Sequence, residues 1–238
     1  MGDLGGMLRQ TGVDLPADRL AALAVYRDML TDWNTRMDLT SVPQDEIEAR
    51  HFLDSLWPLS REGLFPEGGS VIDVGTGAGF PGLALAVARP DLTVTLLEAQ
   101  GKRCAFLNAV KERLGLERAT VIQDRAETLG RSAAHRERYD RAVARAVAPL
   151  NVLCEYLLPF LKAGGWALCW KGPALQEEKE DGAFAARALG GVWREPIVMP
   201  GPDTQRVLAR IEKIDKTLPQ YPRKNGTPAK RPLKADKK

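Results

Sequence analysis

The clearest candidate for ligand binding in this chain is residues 73–82, Asp-Val-Gly-Thr-Gly-Ala-Gly-Phe-Pro-Gly. Its glycines follow residues 71–74, which predict a short buried strand, and precede residues 83–88, which predict a helix. Glycines let the backbone turn sharply and let a ligand approach main-chain atoms. Ligands also bind at the carboxyl ends of strands in open α/β sheets. The candidate ligand-binding residues of this loop are Asp73, Gly75, Gly77, Gly79 and Phe80.

The register of the loop favours a cationic ligand over a dinucleotide. Residues 77–82 match Gly-x-Gly-x-x-Gly, the pattern typical of dinucleotide-binding loops. In such loops the pattern starts where the strand ends, and the predicted strand here ends before Gly75. If the pattern is read from Gly75, its third glycine position is occupied by Phe80. Asp73 places a carboxylate at the strand end, which suits a ligand with an amino group and a sulfonium, such as S-adenosylmethionine, better than a pyrophosphate. A Gly-Lys-Ser/Thr sequence does not follow, which excludes a phosphate-binding P-loop.

Further acids follow the next two predicted strands. Glu98 ends the second strand, 23 residues after Gly75, where a carboxylate can accept both ribose hydroxyls of an adenosyl group. Residues 124–127, Asp-Arg-Ala-Glu, follow the third strand and are placed to hold the adenine edge, with Ala126 and Glu127 as the candidate contacts. The alternative for each acid is a solvated loop residue or a helix cap, and for Glu127 both interpretations stay open.

The sequence after the fourth predicted strand bears on the methyl acceptor. Transfer from a sulfonium mainly requires donor and acceptor to be aligned. Enzymes that methylate an exocyclic amine usually carry Asn/Asp-Pro-Pro-Tyr/Phe at this position, whereas residues 144–146 here are Ala-Arg-Ala. Methylation at pyrimidine C5 needs a cysteine nucleophile, often in Pro-Cys, and Cys104, Cys154 and Cys169 do not follow a proline. A ring nitrogen such as guanine N7 needs neither device, so the pattern favours ring-nitrogen methylation.

Several polar residues outside the loop are candidates for catalysis or RNA binding. Arg145 ends the fourth strand and is placed to bind the target base, the RNA backbone or the carboxylate of the cofactor, or to form an ion pair. Lys171 ends the fifth strand, where it is placed to contact RNA phosphate. His51, Asp54 and Ser55 are expected to form a polar patch over the cleft or a hydrogen bond on a helix surface. The catalytic candidates are Arg145, Lys171 and His51.

The surrounding elements alternate between strand and helix. Residues 1–13 are expected to be irregular. Asp14 is the predicted N-cap, and Pro16 an early helical proline, of a helix whose apolar stripe runs to Met37, and a second short helix is predicted over residues 46–57. The predicted strands are residues 71–74, 93–97, 120–123, 139–144, 166–170, 196–199 and 207–214, the last two joined by a turn at residues 200–203. Helices are predicted at residues 83–88, 102–114, 150–161 and 176–189. This order predicts a mostly parallel sheet with helices on both faces and an antiparallel hairpin at one edge.

Composition bounds the class of protein. A chain of 238 residues suffices for one α/β domain with additions. The three cysteines include no Cys-x-x-Cys pair, so we expect no disulfide framework and no metal site, and reduced thiols fit a cytoplasmic protein. The start shows no signal-peptide pattern, and no apolar run is long enough to span a bilayer. We expect a monomer without a membrane partner.

Charge is concentrated at the C-terminus. Residues 213–238 carry nine basic and two acidic side chains, a net charge of +7, which leaves −4 for the remainder. A mildly acidic body with a basic tail favours a polyanionic partner, although a solvated tail explains the charge equally well. The RNA-binding candidates here are Arg223, Lys224 and Lys230. We predict a cap over residues 1–60, a main domain over residues 61–214, and an extended, partly flexible tail over residues 215–238.

Four stretches together resemble one family, the bacterial small-subunit ribosomal RNA guanine-N7 methyltransferases, also called glucose-inhibited division protein B. They are Trp33-Asn34 with Leu39-Thr40-Ser41, residues 50–56 (Arg-His-Phe-Leu-Asp-Ser-Leu), residues 73–82, and residues 221–228 (Tyr-Pro-Arg-Lys-Asn-Gly-Thr-Pro). The resemblance implies a Rossmann-like class I S-adenosylmethionine-dependent methyltransferase with a seven-stranded sheet and an N-terminal helical cap. It also implies N7 methylation of a guanine in the decoding-region loop of 16S ribosomal RNA, naked or in the small subunit, with S-adenosylhomocysteine as product.

The same resemblance assigns a cofactor pocket. It implies that Glu98 holds the ribose and that the pocket is lined by Gly75, Phe80, Ala126, Glu127 and Arg145. Two departures are small: Ala84 stands where many members have proline, and Glu98-Ala99-Gln100 replaces the commoner Asp-Ser. The rival interpretations are a nicotinamide-dependent oxidoreductase, a methyltransferase that acts on a protein or small molecule, and an inactive RNA-binding protein that kept the fold.

Overall fold

A single mixed sheet organises the protein. The computed structural model describes residues 3–145, 148–200 and 206–235. Within these residues seven strands form one sheet in the order β3-β2-β1-β4-β5-β7-β6. The strands are β1 (Ser70–Val74), β2 (Thr93–Glu98), β3 (Ala119–Gln123), β4 (Tyr139–Arg145), β5 (Leu161–Lys171), β6 (Gly191–Val198) and β7 (Val207–Lys213). The first five pair in parallel and the last two are antiparallel, which confirms the predicted sheet and its edge hairpin.

The register of the central strands places the candidate site residues at one edge. Asp73 of β1 lies opposite Leu96 of β2 and Val143 of β4, so Glu98 and Arg145 both extend two residues further toward the carboxyl edge. The central strands are apolar on both faces because helices cover both sides of the sheet. The ends of β1, β2 and β4 therefore open into one space.

Helices cover the sheet on two sides. The cap helices, α4 and α5 contribute to one hydrophobic cluster, and α7 and α8 contribute to the other. The helices are α1 (Leu4–Gln10), α2 (Ala17–Asn34), α3 (Asp54–Leu56), α4 (Gly82–Ala88), α5 (Gly101–Arg113), α6 (Ala126–Leu129), α7 (Leu150–Leu157), α8 (Leu175–Ala188) and α9 (Thr227–Lys230). Across the described ranges, no helix combines the length and the apolar character that crossing a membrane would require.

The N-terminal region is more ordered than the sequence suggested. The expectation of an irregular start is wrong, because α1 occupies residues 4–10 and buries Leu8 completely. Gly5 and Gly6 lower helix propensity and concealed this helix, which is stabilised instead by tertiary packing and by the Asp3 cap. The following helix, α2, begins at Ala17 after Pro16, and Asp14 lies outside it.

Two helix predictions need correction. Residues 46–57 do not form a single α-helix: a 3₁₀ turn (Gln44–Glu46), a π-helix (Glu48–Leu53), α3 and a second 3₁₀ turn (Trp57–Ser60) follow one another. The helix predicted over residues 150–161 ends at Leu157, and β5 already starts at Leu161. Pro159 lacks the amide hydrogen that a continuing helix requires.

The C-terminal segment differs from the expected flexible tail, since residues 215–235 pack against the main domain. Arg131 Nε donates to the Pro222 carbonyl over 2.8 Å, and Arg136 Nη1 donates to the Tyr221 carbonyl over 2.8 Å. Arg223 forms an ion pair with the buried Glu155 over 2.6 Å. These partners lie far away in sequence, so a Pro- and Lys-rich composition did not reveal them. Asp236, Lys237 and Lys238 of the predicted tail, and residues 201–203 of the predicted turn, lie outside the described residues.

Candidate active site

A cleft of about 550 Å³ opens where β1, β2, β3 and β4 end. Its walls come from the glycine-rich loop, the turns after β2 and β3, the end of β4, and single residues of the N- and C-terminal segments. Seven of the nine predicted cofactor-binding residues line it: Gly75, Gly77, Phe80, Glu98, Ala126, Glu127 and Arg145. Asp73 and Gly79 are not among the lining residues, and the structure places both behind the loop.

The glycine-rich loop owes its shape to backbone angles that favour glycine. Gly75, Gly77 and Gly79 have φ of 71°, 60° and 98°. A β-carbon on Gly79 would overlap the Tyr26 hydroxyl and the Leu83 side chain. That hydroxyl donates to the Ala78 carbonyl over 2.5 Å, so α2 of the N-terminal region fixes the loop from behind. Gly79 is therefore required for packing against the cap.

Asp73 shapes the loop from a fully buried position. Its Oδ2 accepts the Gly82 amide hydrogen over 2.7 Å. Burial raises the pKa of Asp73 to about 6, although the Thr76 side chain, the Gly82 amide and the charge of Arg145 act in the opposite direction. A β-carbon on Gly82 would lie 2.5 Å from that of Asp73. The side chain thus joins the end of β1 to the start of α4.

Glu98 presents its carboxylate to the cleft in a fixed orientation. Oε2 accepts the Gly77 amide hydrogen over 3.0 Å and Oε1 accepts the Gln100 amide hydrogen over 2.9 Å. The residue is buried, and Arg103 Nη1 lies 4.0 Å from Oε2. A carboxylate oxygen has room for more than one donor. Each oxygen can therefore still accept a hydroxyl from a ligand.

The C-terminal segment completes the far wall of the cleft. Glu127 Oε1, at the start of α6, accepts the Gly226 amide hydrogen over 2.8 Å, and Ala229 lines the cleft. Gly226 has a φ of 75°, which favours glycine. The sequence patterns pointed to Glu127 but not to Ala229, because no local signal links residues 126–127 to a segment about one hundred residues away.

Arg145 lies at the opposite side of the cleft, held by the N-terminal region. Its Nη1 donates to Asp54 Oδ2 and to the Arg50 carbonyl, both over 3.0 Å, and its Nη2 lies 2.8 Å from His51 Nδ1. The guanidinium also lies 5.1 Å from the centroid of the Phe80 ring. The predicted ion pair and the predicted place at the cleft are therefore both present.

The remaining candidates do not form a single patch. Ser55 is fully buried and donates to the His51 carbonyl over 2.6 Å, and Lys171 binds Glu178 over 2.6 Å and the Ala148 carbonyl over 2.9 Å. Arg223 is engaged with Glu155, as described above. Lys224 and Lys230 are exposed on the C-terminal segment.

Other reactive groups lie outside the cleft. His135 is half-buried, and its Nδ1 lies 2.7 Å from the Tyr139 hydroxyl. All three cysteines are buried and free, and burial raises the pKa of each thiol, in the case of Cys169 to about 12. In the part of the chain that the structure describes, no cluster of His, Cys, Asp and Glu side chains could hold a metal ion.

Solved structures share the fold. A mutant of MtNAS in complex with S-adenosylmethionine superposes with a TM-score of 0.55 at 14% identity, covering 83% of this chain and 77% of that one. A structure described as a complex between the Haloferax volcanii Trm112 methyltransferase activator and the putative methyltransferase gives a TM-score of 0.56 at 15% identity, covering 81% and 99%. The sheet order and the cleft at its carboxyl edge are those of the Rossmann-like class I methyltransferase fold.

Sequence comparison identifies the family. The model of GidB, rRNA small subunit methyltransferase G, matches residues 19–194. Ribosomal RNA small subunit methyltransferase G of Alkaliphilus metalliredigens is 46% identical, covering 95% of each chain, and that of Moorella thermoacetica is 42% identical, covering 97% of each. This chain therefore belongs to the ribosomal RNA small subunit methyltransferase G family, as its motifs indicated.

Proposed function

We propose that the protein transfers the methyl group of S-adenosylmethionine to N7 of a guanine in the decoding-region loop of 16S ribosomal RNA. Two findings support ribosomal RNA as the substrate. The chain belongs to a family of ribosomal RNA small subunit methyltransferases, and it matches a relative with that name over nearly the whole length of both chains. The observation that carries the proposal is the Glu98 carboxylate, fixed in the cleft beside Gly77 at the end of β2. The protein would act as a cytoplasmic monomer on the RNA or on the small subunit.

The strand order supports one orientation of the donor in the cleft. Glu98, at the end of β2, would accept the ribose hydroxyls, and residues 124–127 after β3 would hold the adenine edge. The methionine end would then lie over β1 and β4, where Arg145 offers a guanidinium to its carboxylate.

The loop offers a polar side chain to a ligand. Thr76 lines the cleft, and its hydroxyl lies beside the buried Asp73 carboxylate. That hydroxyl can donate to Asp73 and still accept a hydrogen bond from a ligand that carries donors. Bound S-adenosylmethionine supplies an activated methyl group. The residues of this chain would bind it, exclude water from it and orient it.

The chemistry of the cleft supports a ring-nitrogen acceptor. None of the three cysteines lines the cleft and their thiols stay protonated, which argues against attack on a pyrimidine carbon. N7 of guanine carries an available lone pair, so the protein needs to align it with the methyl group and does not need to remove a proton. Lys224 and Lys230, exposed beside the cleft, are placed to bind RNA phosphate.

A methyl-transfer assay on small ribosomal subunits tests the proposal. Subunits from cells that lack the protein would be incubated with donor carrying a tritiated methyl group, and the label would be located by cleavage at N7-methylguanine and by mass mapping. We expect label at one guanine of the decoding-region loop with the wild-type protein and with Glu112→Ala, an exposed control on α5. Label at an exocyclic amine, at a pyrimidine or in protein would contradict the proposal.

A further inference from the structure

A hydrogen-bonded chain runs from the N-terminal region to the guanidinium of Arg145. Asn34 holds the backbone of Thr40 through both amide atoms, with distances of 3.0 Å to the Thr40 carbonyl and 3.0 Å to its amide nitrogen. Thr40 Oγ1 lies 2.7 Å from His51 Nε2, and His51 Nδ1 lies 2.8 Å from Arg145 Nη2. The residues that carry the N-terminal part of the family resemblance thus converge on one side chain of the cleft.

The partners of His51 define its tautomer. A guanidinium only donates hydrogen bonds, so Nδ1 must accept from Arg145 and the ring proton must reside on Nε2, which donates to Thr40 Oγ1. Burial, followed by the positive charges of Arg145 and Arg50, lowers the pKa of His51 to about 3, although a hydrogen bond with the Arg50 backbone acts in the opposite direction. The ring is therefore neutral near neutral pH and able to accept from a cation.

His51 is also fixed sterically. Its ring stacks on Phe80, with 4.6 Å between centroids, and Phe80 in turn stacks on Tyr26. Because both ring nitrogens are engaged and one face is covered, His51 is poorly placed to act as an acid or base on a ligand. Its neighbour Arg145 retains an Nε–H that has no acceptor within the described residues and remains available to a ligand.

We infer that His51 is a positioning residue, whose Nδ1 lone pair orients Arg145 toward the carboxylate of the methyl donor. The inference rests on the proposed function, because it presumes that the donor occupies the cleft with its methionine end over β4. It differs from a catalytic or RNA-binding role for His51, which the sequence alone suggested. The N-terminal region then contributes to donor binding through Arg145 as well as by covering the sheet.

Two conservative variants distinguish the effect of the hydrogen bond to Arg145 from the effect of the stacked His51 ring. Asparagine places an amide oxygen at the same bond separation from the β-carbon as Nδ1, so His51→Asn can still accept from Arg145. Glutamine places its amide one bond further, at the position of Nε2, so His51→Gln keeps the contact with Thr40 and loses the acceptor for Arg145. Both variants remove the stacking ring equally.

Nitrogen NMR gives an independent readout of the tautomer. The chain contains two histidines, so one variant assigns both. We expect the His51 Nδ1 resonance to be that of an unprotonated nitrogen and Nε2 that of a protonated one between about pH 5 and pH 8, because the pKa lies far below that range. A protonated Nδ1 would exclude acceptance from Arg145 and overturn the inference.

The decisive experiment compares two ligands by calorimetry on the full chain. S-adenosylhomocysteine carries the carboxylate, and 5′-methylthioadenosine shares its adenosyl part but lacks it. For His51→Gln we expect about tenfold weaker binding of S-adenosylhomocysteine, the effect of one charge-assisted hydrogen bond. Binding of 5′-methylthioadenosine should stay within about twofold, and His51→Asn should recover most of the loss.

The outcomes are distinguishable from failure of the proposed function. Equal weakening of both ligands by His51→Gln, or an asparagine variant as weak as the glutamine variant, would overturn the positioning role while leaving the donor site intact. If the folded wild-type chain bound neither compound, the proposed function would fall and this inference with it.

Discussion

The two sides of the cleft are built in different ways. On the side of β1 and β2, the contacts are local: Asp73 binds the Gly82 amide nine residues away, and Glu98 binds the Gly77 amide 21 residues away. The long-range side comprises two opposite walls: at one, Arg145 binds His51 across 94 residues, and at the other, Glu127 binds the Gly226 amide across 99. The local side can be identified from a motif, whereas the long-range side depends on the completed fold.

Under the proposed function, this difference separates two tasks in donor binding. The local side presents backbone amides and one carboxylate, which suit the ribose and the loop around it. The long-range side supplies the guanidinium and the C-terminal wall, which suit the two ends of the donor. Substitutions on the local side should therefore weaken donor binding most, while substitutions on the long-range side should weaken it less.

Glu98→Ala should give the largest effect. The substitution removes the acceptor of both proposed ribose hydroxyls, so we expect S-adenosylhomocysteine to bind about 100-fold more weakly by calorimetry, in line with two hydrogen bonds to a charged group. Glu112→Ala, on the exposed face of α5, should bind as the wild type does. If Glu98→Ala bound S-adenosylhomocysteine as tightly as the wild type does, the local side would not take part in donor binding.

On the local side, ionisation of Asp73 should make the stability of the protein depend on pH. Burial raises its pKa from 3.8 to about 6, so the folded state binds its proton more tightly than the unfolded state does. The free energy of unfolding of the wild type should therefore fall by about 2 kcal/mol, relative to Asp73→Asn, as pH rises from about 4 to 6.

Denaturant titrations of both proteins at several pH values measure this difference. Asp73→Asn keeps an oxygen that can accept from the Gly82 amide, so it isolates the ionisation from the hydrogen bond. If the free energy of unfolding changed with pH in the same way for both proteins, the pKa of Asp73 would not be raised in the folded state.

Arg223→Ala tests the long-range side at its C-terminal wall. The variant leaves the buried Glu155 carboxylate without its ion pair, which loosens the segment that carries Gly226 and Ala229. We expect about fivefold weaker binding of S-adenosylhomocysteine, because the adenine side becomes less preorganised. Lys224→Ala, a neighbour that is exposed, is the matched control and should bind the donor normally. An unchanged affinity in Arg223→Ala would show that the wall is dispensable for the donor.

Lys224→Ala and Lys230→Ala should give the smallest effect, and only on RNA. Each variant should weaken RNA binding a few-fold and lower the slope of log affinity against log salt by about one, as expected for one phosphate contact. Donor affinity should not change. A salt slope equal to that of the wild type in both variants would place the RNA elsewhere on the surface.

Much of the fold could be predicted from the sequence. The apolar runs and short turns indicated the parallel sheet and its edge hairpin, and Asp73, Gly75 and Glu98 marked its carboxyl edge. Elements were missed where tertiary packing overrides local preference, as in α1 with its two glycines. The single helix predicted over residues 46–57 failed for the same reason, since a π-helix there directs His51 toward Arg145.

The candidate site was predictable only in part. Local register pointed to Glu98 correctly as a cleft residue, but it could not show that Asp73 is buried beneath the loop, since both lie at strand ends. Arg223 was expected to be free for RNA, because the sequence does not reveal that Glu155 lies opposite it. Long-range pairings of this kind are set by topology and leave no periodic pattern.

In the proposed function, the cleft holds an adenosyl donor with its carboxylate toward Arg145. The sharpest test is calorimetric titration of the folded, full-length chain with S-adenosylhomocysteine and, separately, with NAD. We expect saturable equimolar binding of S-adenosylhomocysteine and no uptake of NAD. Binding of NAD without S-adenosylhomocysteine, or no binding of either by well-folded protein, would contradict it.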